Sequence, residues 1–176
     1  ALTGQVIDGP QAVALSLADH MVDASKLAQG WDALAQLTTV NAETLDNWIA
    51  TLLIACYAIP TGTNRQFDTC FALPTVSEIV SALESHTRLE AQEAAVMLRK
   101  RSPLMLHVVL EQIRRGRALT LADDLRMERD MVCHCFTTTH LQRWGTSSET
   151  VEGIRALAID KDHAPKWSPV RIEDIT

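Results

Sequence analysis

Apolar side chains recur at steps of three and four along almost the whole chain, and no segment shows the strict alternation of a half-buried strand. A helix and a strand repeat with different periods, so this pattern restricts the chain to an essentially all-helical fold. The clearest stripe is Leu45, Trp48, Ile49, Leu52, Leu53 and Cys56, which Pro60 and Gly62 should end. Two shorter stripes precede it: Val13, Leu17 and Met21, then Leu27, Trp31, Leu34 and Ala35. Each predicts a short amphipathic helix.

Helix-start chemistry supports the same reading further along. Thr75 and Glu78 form a capping box ahead of Val76, Ile79, Val80 and Leu83. A helix is expected from Leu89 to Lys100, and Ser102-Pro103 reads as the N-cap and first residue of the next one, ending near Gly116. Thr120 and Asp123 open a helix carried by Leu121, Leu125, Val132 and Cys135 to about Phe136. Residues 137–150, rich in Thr and Ser around Gly145, predict an insertion loop. Val151, Ile154, Leu157 and Ala158 predict a last helix, and the chain after Asp160 reads as a tail.

A length of 176 residues suits one ordinary domain, or part of a larger one. The uncharged run 47–63 is too short and too polar to cross a bilayer, so no membrane association is expected. No basic start followed by an apolar stretch and a small-residue cleavage site occurs, so no secretory leader is expected. The formal charge of −6 speaks against a nucleic-acid module. That charge is uneven: residues 1–98 hold 3 basic and 11 acidic side chains, residues 99–176 hold 13 and 11. An anionic ligand would therefore favour the second half.

Cys133, His134, Cys135 and His140 are four soft ligands within eight residues, the one set that suggests zinc. Their spacing matches no common structural zinc pattern, and on a helix Cys133 and Cys135 point roughly 200° apart, so no metal site is assigned. With 4 cysteines and no secretory signal, no disulfide framework is expected, and Cys56 and Cys70 suit packing. No nucleophile elbow, P-loop or dinucleotide-binding glycine motif is found. By composition and spacing alone this is a helical domain without assigned chemistry.

Two segments add more. Residues 151–167, Val-Glu-Gly-Ile-Arg-Ala-Leu-Ala-Ile-Asp-Lys-Asp-His-Ala-Pro-Lys-Trp, resemble the C-terminal E-G-V-R-A…I-D-K-D…P-x-W signature of 3-hydroxyisobutyryl-CoA hydrolases, a branch of the crotonase superfamily. Leu2-Thr3-Gly4 with Ala12, Ala18, His20 and Val22 resembles that branch's L-T-G segment and the helix after it, with Ser16 where a Gly is usual. Cys70-Phe71 with 75–79 resembles its C-F…T-V-E-E-I element, and Ser102-Pro103 with Leu104, Leu110 and Met127-Glu128 its S-P-T-S-L…M-E-Y-R-L helix pair. The likeness spans nearly all 176 residues, with 137–150 longer than the family's link.

The resemblance implies a mostly α chain corresponding over residues 1–176 to the helical C-terminal half of a crotonase-like fold. It implies part of a short-chain acyl-CoA thioester hydrolase of valine catabolism in the mitochondrial matrix, with an acyl-CoA substrate and no separate cofactor. The family's oxyanion segment and acidic residues precede its L-T-G segment, so no catalytic residue is assigned within these residues. Lys161 resembles the C-terminal lysine that approaches a CoA phosphate in related crotonases; the other reading is a surface lysine paired with Asp160 or Asp162. Arg155 is expected to be structural, and Trp167 to anchor the tail. Helices of this kind rest on a β-rich core in the family, so self-association or packing on that half is expected. The alternative is a non-catalytic scaffold, since relatives of these hydrolases serve as small-subunit proteins of mitochondrial ribosomes.

Overall fold

The computed structural model describes residues 2–53, 67–137, 139, 142–143 and 147–175. The described residues are 64% helical, and among them the only β-type pairing is an isolated antiparallel bridge between Val22 and Leu53. The chain divides into two compact units, Gln5–Gln66 and Ala1–Gly4 with Phe67–Thr176.

In the first of these units, α1 (Gly9–Ala14) starts from an Asp8 capping box with Gln11 and Pro10 in its first turn. It ends well short of the predicted stripe. Leu17 N–H donates to Ala12 O and Ser16 N–H to Val13 O, while Ser16 takes φ +56°. That is a Schellman termination, and it leaves Leu17 71% exposed instead of on a helical face. A short 3₁₀ turn (Ala24–Lys26) leads into α2 (Leu27–Ala35), which pairs with α3 (Ala42–Leu52). Leu52 lies so close over Gly30 that a Cβ there would sit 2.8 Å from its methyl. Trp48 Nε1 donates to the Gly30 carbonyl at 2.7 Å. Cys56, Pro60 and Gly62, expected to finish the third stripe, lie outside the described residues.

The larger unit is organised around α5 (Val76–Glu84), whose Val76, Ile79, Val80 and Leu83 are fully buried. Its capping box is complete: Glu78 N–H donates to Thr75 Oγ1 and Thr75 N–H to the Glu78 carboxylate. The short α4 (Asp68–Phe71) brings buried Cys70 to the same core. In α6 (Leu89–Arg99), Ala91 and Ala95 are buried one turn apart, and their small size lets the α6 backbone approach α5 closely. Leu106 and Leu110 of α7 (Pro103–Gly116) complete the core. Ile172, in a 3₁₀ turn (Ile172–Asp174), is buried in this core, so the tail is an integral element and not a loose end. Burying each of these large aliphatic side chains contributes about 1.5–3 kcal/mol.

The long α8 (Leu121–Phe136) contains no buried residue. Leu121, Leu125 and Val132, expected to hold it to the core, are instead exposed. The last helix, α9 (Glu149–Ile154), runs on as a π-helical turn (Arg155–Ile159) and buries Glu152 and Ala156 rather than Val151, Ile154 and Leu157.

Candidate functional site

Ser148 caps α9, and two acidic residues, Glu149 and Glu152, occupy its first turn, where a carboxylate meets the free N–H groups and the positive end of the helix dipole. Glu152 is only 7% exposed. Its carboxylate accepts from Arg155 Nε at 2.9 Å, from Arg155 Nη2 at 2.8 Å and from the Lys166 backbone N–H at 2.6 Å. These donors hold its pKa down at about 2, the Arg155 hydrogen bonds being the larger cause.

The wide turn after α9 sets the rest of the guanidinium free to work outward. Arg155 Nη1 donates to the carboxylates of Asp160 and Asp162, the latter at 2.8 Å, and Nη2 reaches the Ala164 carbonyl at 3.2 Å. Asp162 is lowered below the ordinary carboxylate range, first by the Ala164 N–H and then by Arg155. Trp167 Nε1 donates to the Lys100 carbonyl at 3.1 Å, and its ring lies against Gly153, where an added Cβ would be 3.5 Å away. The sequence signature is thus a single knot: Glu152, Arg155, Asp160 and Asp162 tie the turn, and Trp167 ties the tail across α9 to α6.

Lys161 stands exposed between the two aspartates on a left-handed turn, φ +56°. Arg155 takes both Asp160 and Asp162, and no ion pair joins either aspartate to Lys161 among the described residues. The ammonium therefore stands exposed on this turn with neither Asp160 nor Asp162 as an ion-pair partner.

A second feature was not foreseen. A cavity of about 410 Å³ lies between α7 and α8, with Leu104, Met105, Val108, Met127 and Met131 as its apolar lining. Its closing wall includes Arg143 and Glu149. Glu149 accepts from the Ser168 N–H at 2.8 Å and from the Ser102 hydroxyl, and Arg143 donates to the Ser168 carbonyl. The available signal was the spacing of Met127, Met131 and Cys135 on α8, two steps of four that place them on one face.

The candidate soft-ligand set does not come together. Cys133 is exposed, Cys135 is half-buried with its thiol pushed up by burial, and His134 Nδ1 lies 2.6 Å from the Asp130 carbonyl. His140 lies outside the described residues. Among the described residues no group of three His, Cys, Asp or Glu side chains is arranged to hold a metal ion.

The profile of the family described as enoyl-CoA hydratase/isomerase matches residues 1–176. The chain is 35% identical to 3-hydroxyisobutyryl-CoA hydrolase 1 of Arabidopsis thaliana, over 99% of this chain and 46% of that protein. It is 28% identical to the mitochondrial 3-hydroxyisobutyryl-CoA hydrolase of Homo sapiens, over 100% of this chain and 45% of that protein. The small ribosomal subunit protein mS47 of Arabidopsis thaliana is 31% identical, over 100% and 43%. Among solved structures, a carnitinyl-CoA dehydratase from Mycobacterium thermoresistibile superposes with a TM-score of 0.76 at 33% identity, covering 100% of this chain and 47% of the other. The chain spans about half the length of the curated relatives it matches.

Proposed function

The chain belongs to the enoyl-CoA hydratase/isomerase family, and on that premise we propose that it is the helical part of a short-chain acyl-CoA thioester hydrolase of the 3-hydroxyisobutyryl-CoA type. In such an enzyme two N–H groups polarise the thioester carbonyl while a carboxylate activates or delivers water. The share of that work assigned to these residues is binding: Lys161 meets a phosphate of the CoA moiety, and the helices pack on the part of the fold that carries the oxyanion donors. The mitochondrial matrix is the proposed location, in line with the mitochondrial relatives.

The observation that carries the role of Lys161 is the engagement of both flanking aspartates by Arg155. Asp160 and Asp162 make their ion pairs with Arg155, and Lys161 between them is exposed with no ion pair of its own among the described residues, a compact charge suited to phosphate. Such a contact is made equally in the ground and transition states. In a protein carrying both this chain and the oxyanion segment, Lys161→Ala should raise KM several-fold at low salt, fading as salt rises, with kcat little changed. A collapse of kcat would overturn this assignment. The 176-residue chain alone should turn over no acyl-CoA thioester; turnover by it would place catalytic groups within these residues.

The likeness to the ribosomal protein mS47 favours a second reading, a non-catalytic scaffold. Native mass spectrometry decides between them: co-purification with small ribosomal subunits supports the scaffold, and its absence together with hydrolysis by the assembled protein supports the enzyme.

A further inference from the structure

The cavity between α7 and α8 is unused by the thioester reading, and its walls belong to a single compact unit. Leu104, Met105 and Val108 line it from α7 and Met127 and Met131 from α8, and all five are half-buried. The chain itself closes one end. Glu149 accepts from the Ser102 hydroxyl at the start of α7, and the Thr150 hydroxyl donates to the Cys135 carbonyl near the end of α8 at 2.9 Å. The wall is thus fastened to both helices, and the space behind it is a pocket and not an uncovered helix face. Its volume of about 410 Å³ falls in the range of small-molecule sites, about 300–1,000 Å³.

The polar residues of the lining are already engaged. Asp130 accepts from Arg129 at 2.9 Å, His134 Nδ1 lies 2.6 Å from the Asp130 carbonyl, and Arg143 donates to the Ser168 carbonyl. Glu149 and Thr150 hold the wall, and burial pushes the Cys135 thiol up, so it lines the cavity as a small neutral group. A charged or strongly hydrogen-bonding ligand would have to break one of these pairs and leave a group unpaired away from water. An alkyl chain breaks none. Met105, Met127 and Met131 narrow the choice further, because an unbranched thioether with three rotatable bonds repacks around chains of differing length.

We propose that this cavity is a binding site for a single alkyl chain, taken up between α7 and α8 hydrocarbon end first, with its head group left outside. The chain then lies against Met105, Met127 and Met131. Two sources share that chemistry, the acyl tail of a thioester and a free amphiphile such as a fatty alcohol. The proposal needs only the cavity and is independent of the thioester reading.

Methionine methyls labelled with carbon-13 report on the site by NMR, since Met21 and Met97 are not part of the cavity lining. Titration with 1-octanol to roughly 1 mM should shift the Met105, Met127 and Met131 resonances saturably and leave Met21 and Met97 in place. The measurement is made on a protein carrying both this chain and the oxyanion segment, and on the 176-residue chain. Octanoyl-CoA forms the second arm: the same three shifts with it identify a thioester tail as a source, and shifts with octanol alone identify a free amphiphile. Octanoate should bind within a few-fold of octanol. Val108→Trp, which fills the cavity, should weaken octanol binding by about tenfold or more. The shifts of the unsubstituted protein decide the proposal even where that variant does not fold. No saturable shift at the three cavity methionines would overturn it, as would unchanged binding by a folded Val108→Trp protein. Shifts confined to the shorter chain would mean that the rest of the fold fills the cavity, and would overturn it too. Octanoate binding more than about tenfold tighter than octanol would seat a head group on the polar wall and overturn the assignment to an alkyl chain.

Discussion

Ser16 occupies the C′ position of a Schellman termination at φ +56°, in the left-handed region where L-residues pay about 1–2 kcal/mol and glycine pays nothing. The resemblance already marked this position as one where glycine is usual, and the backbone supplies the reason. Ser16→Gly removes the steric cost and returns part of the gain as extra freedom in the unfolded chain, so it should stabilise the unit Gln5–Gln66 by about 0.5–1 kcal/mol. Denaturant unfolding followed through Trp31 and Trp48 measures it; a loss of stability would show that the serine hydroxyl contributes more than the strain it tolerates. Glu152 offers a pH test. Its folded pKa of about 2 lies below the ordinary carboxylate value, so its contribution is fully present above about pH 5 and is lost as pH falls toward 2. Glu152→Gln should therefore be less stable at neutral pH and show a shallower loss between about pH 5 and 2. Parallel stability curves for the two proteins would mean that the knot around Arg155 contributes nothing through charge.

At the scale of elements, burial divides the helices into two kinds. Helix α5 is held by four fully buried aliphatic residues, and Leu83→Ala should destabilise the larger unit by about 2–5 kcal/mol through lost transfer energy and the cavity left behind. Urea titration should show this as a lower midpoint with little change in slope. Helix α8 is regular and well capped by Thr120, which accepts from the Asp123 N–H, yet it buries no side chain. Propensity and capping suffice to make a 16-residue helix, but they do not decide what covers it. The tail behaves oppositely: 160–175 carries no periodic signal, but Trp167 and Ile172 fasten it to α6 and to the core. Arg99 adds to this closure by reaching Glu84 at the end of α5 and Glu173 in the tail.

For the whole molecule, surface area carries the weight. The chain exposes 12449 Å², against about 8,500 Å² for an ordinary monomer of 19.4 kDa. Two separate monomers with the masses of the two units would expose only about 10,000 Å² between them. Trp31, Leu121 and Phe136 are among the exposed large apolar side chains, at 60%, 75% and 70%. The matched relatives are about twice as long as this chain.

The sequence by itself determined whatever depends on residues close together along the chain. The Thr75 capping box, the Ser102-Pro103 start and the three-to-four spacing of α5 each act within one or two turns, so they were legible as written, whereas the equally local boxes at Asp8 and Asn41 were not read. The signature around Lys161 was legible too, as a likeness, though its physical meaning was not. Tertiary structure decided which apolar faces are covered, because periodicity reports that a helix has an apolar side and not what lies against it. The stop of α1 at Ala14 is also local, two hydrogen bonds and the left-handed Ser16 outweighing a continuing stripe, but no spacing pattern announced it. Tertiary structure also decided that Asp160 and Asp162 belong to Arg155: the neighbours of Lys161 in sequence are held by an arginine five to seven residues away, brought to them by the π-helical turn that ends α9.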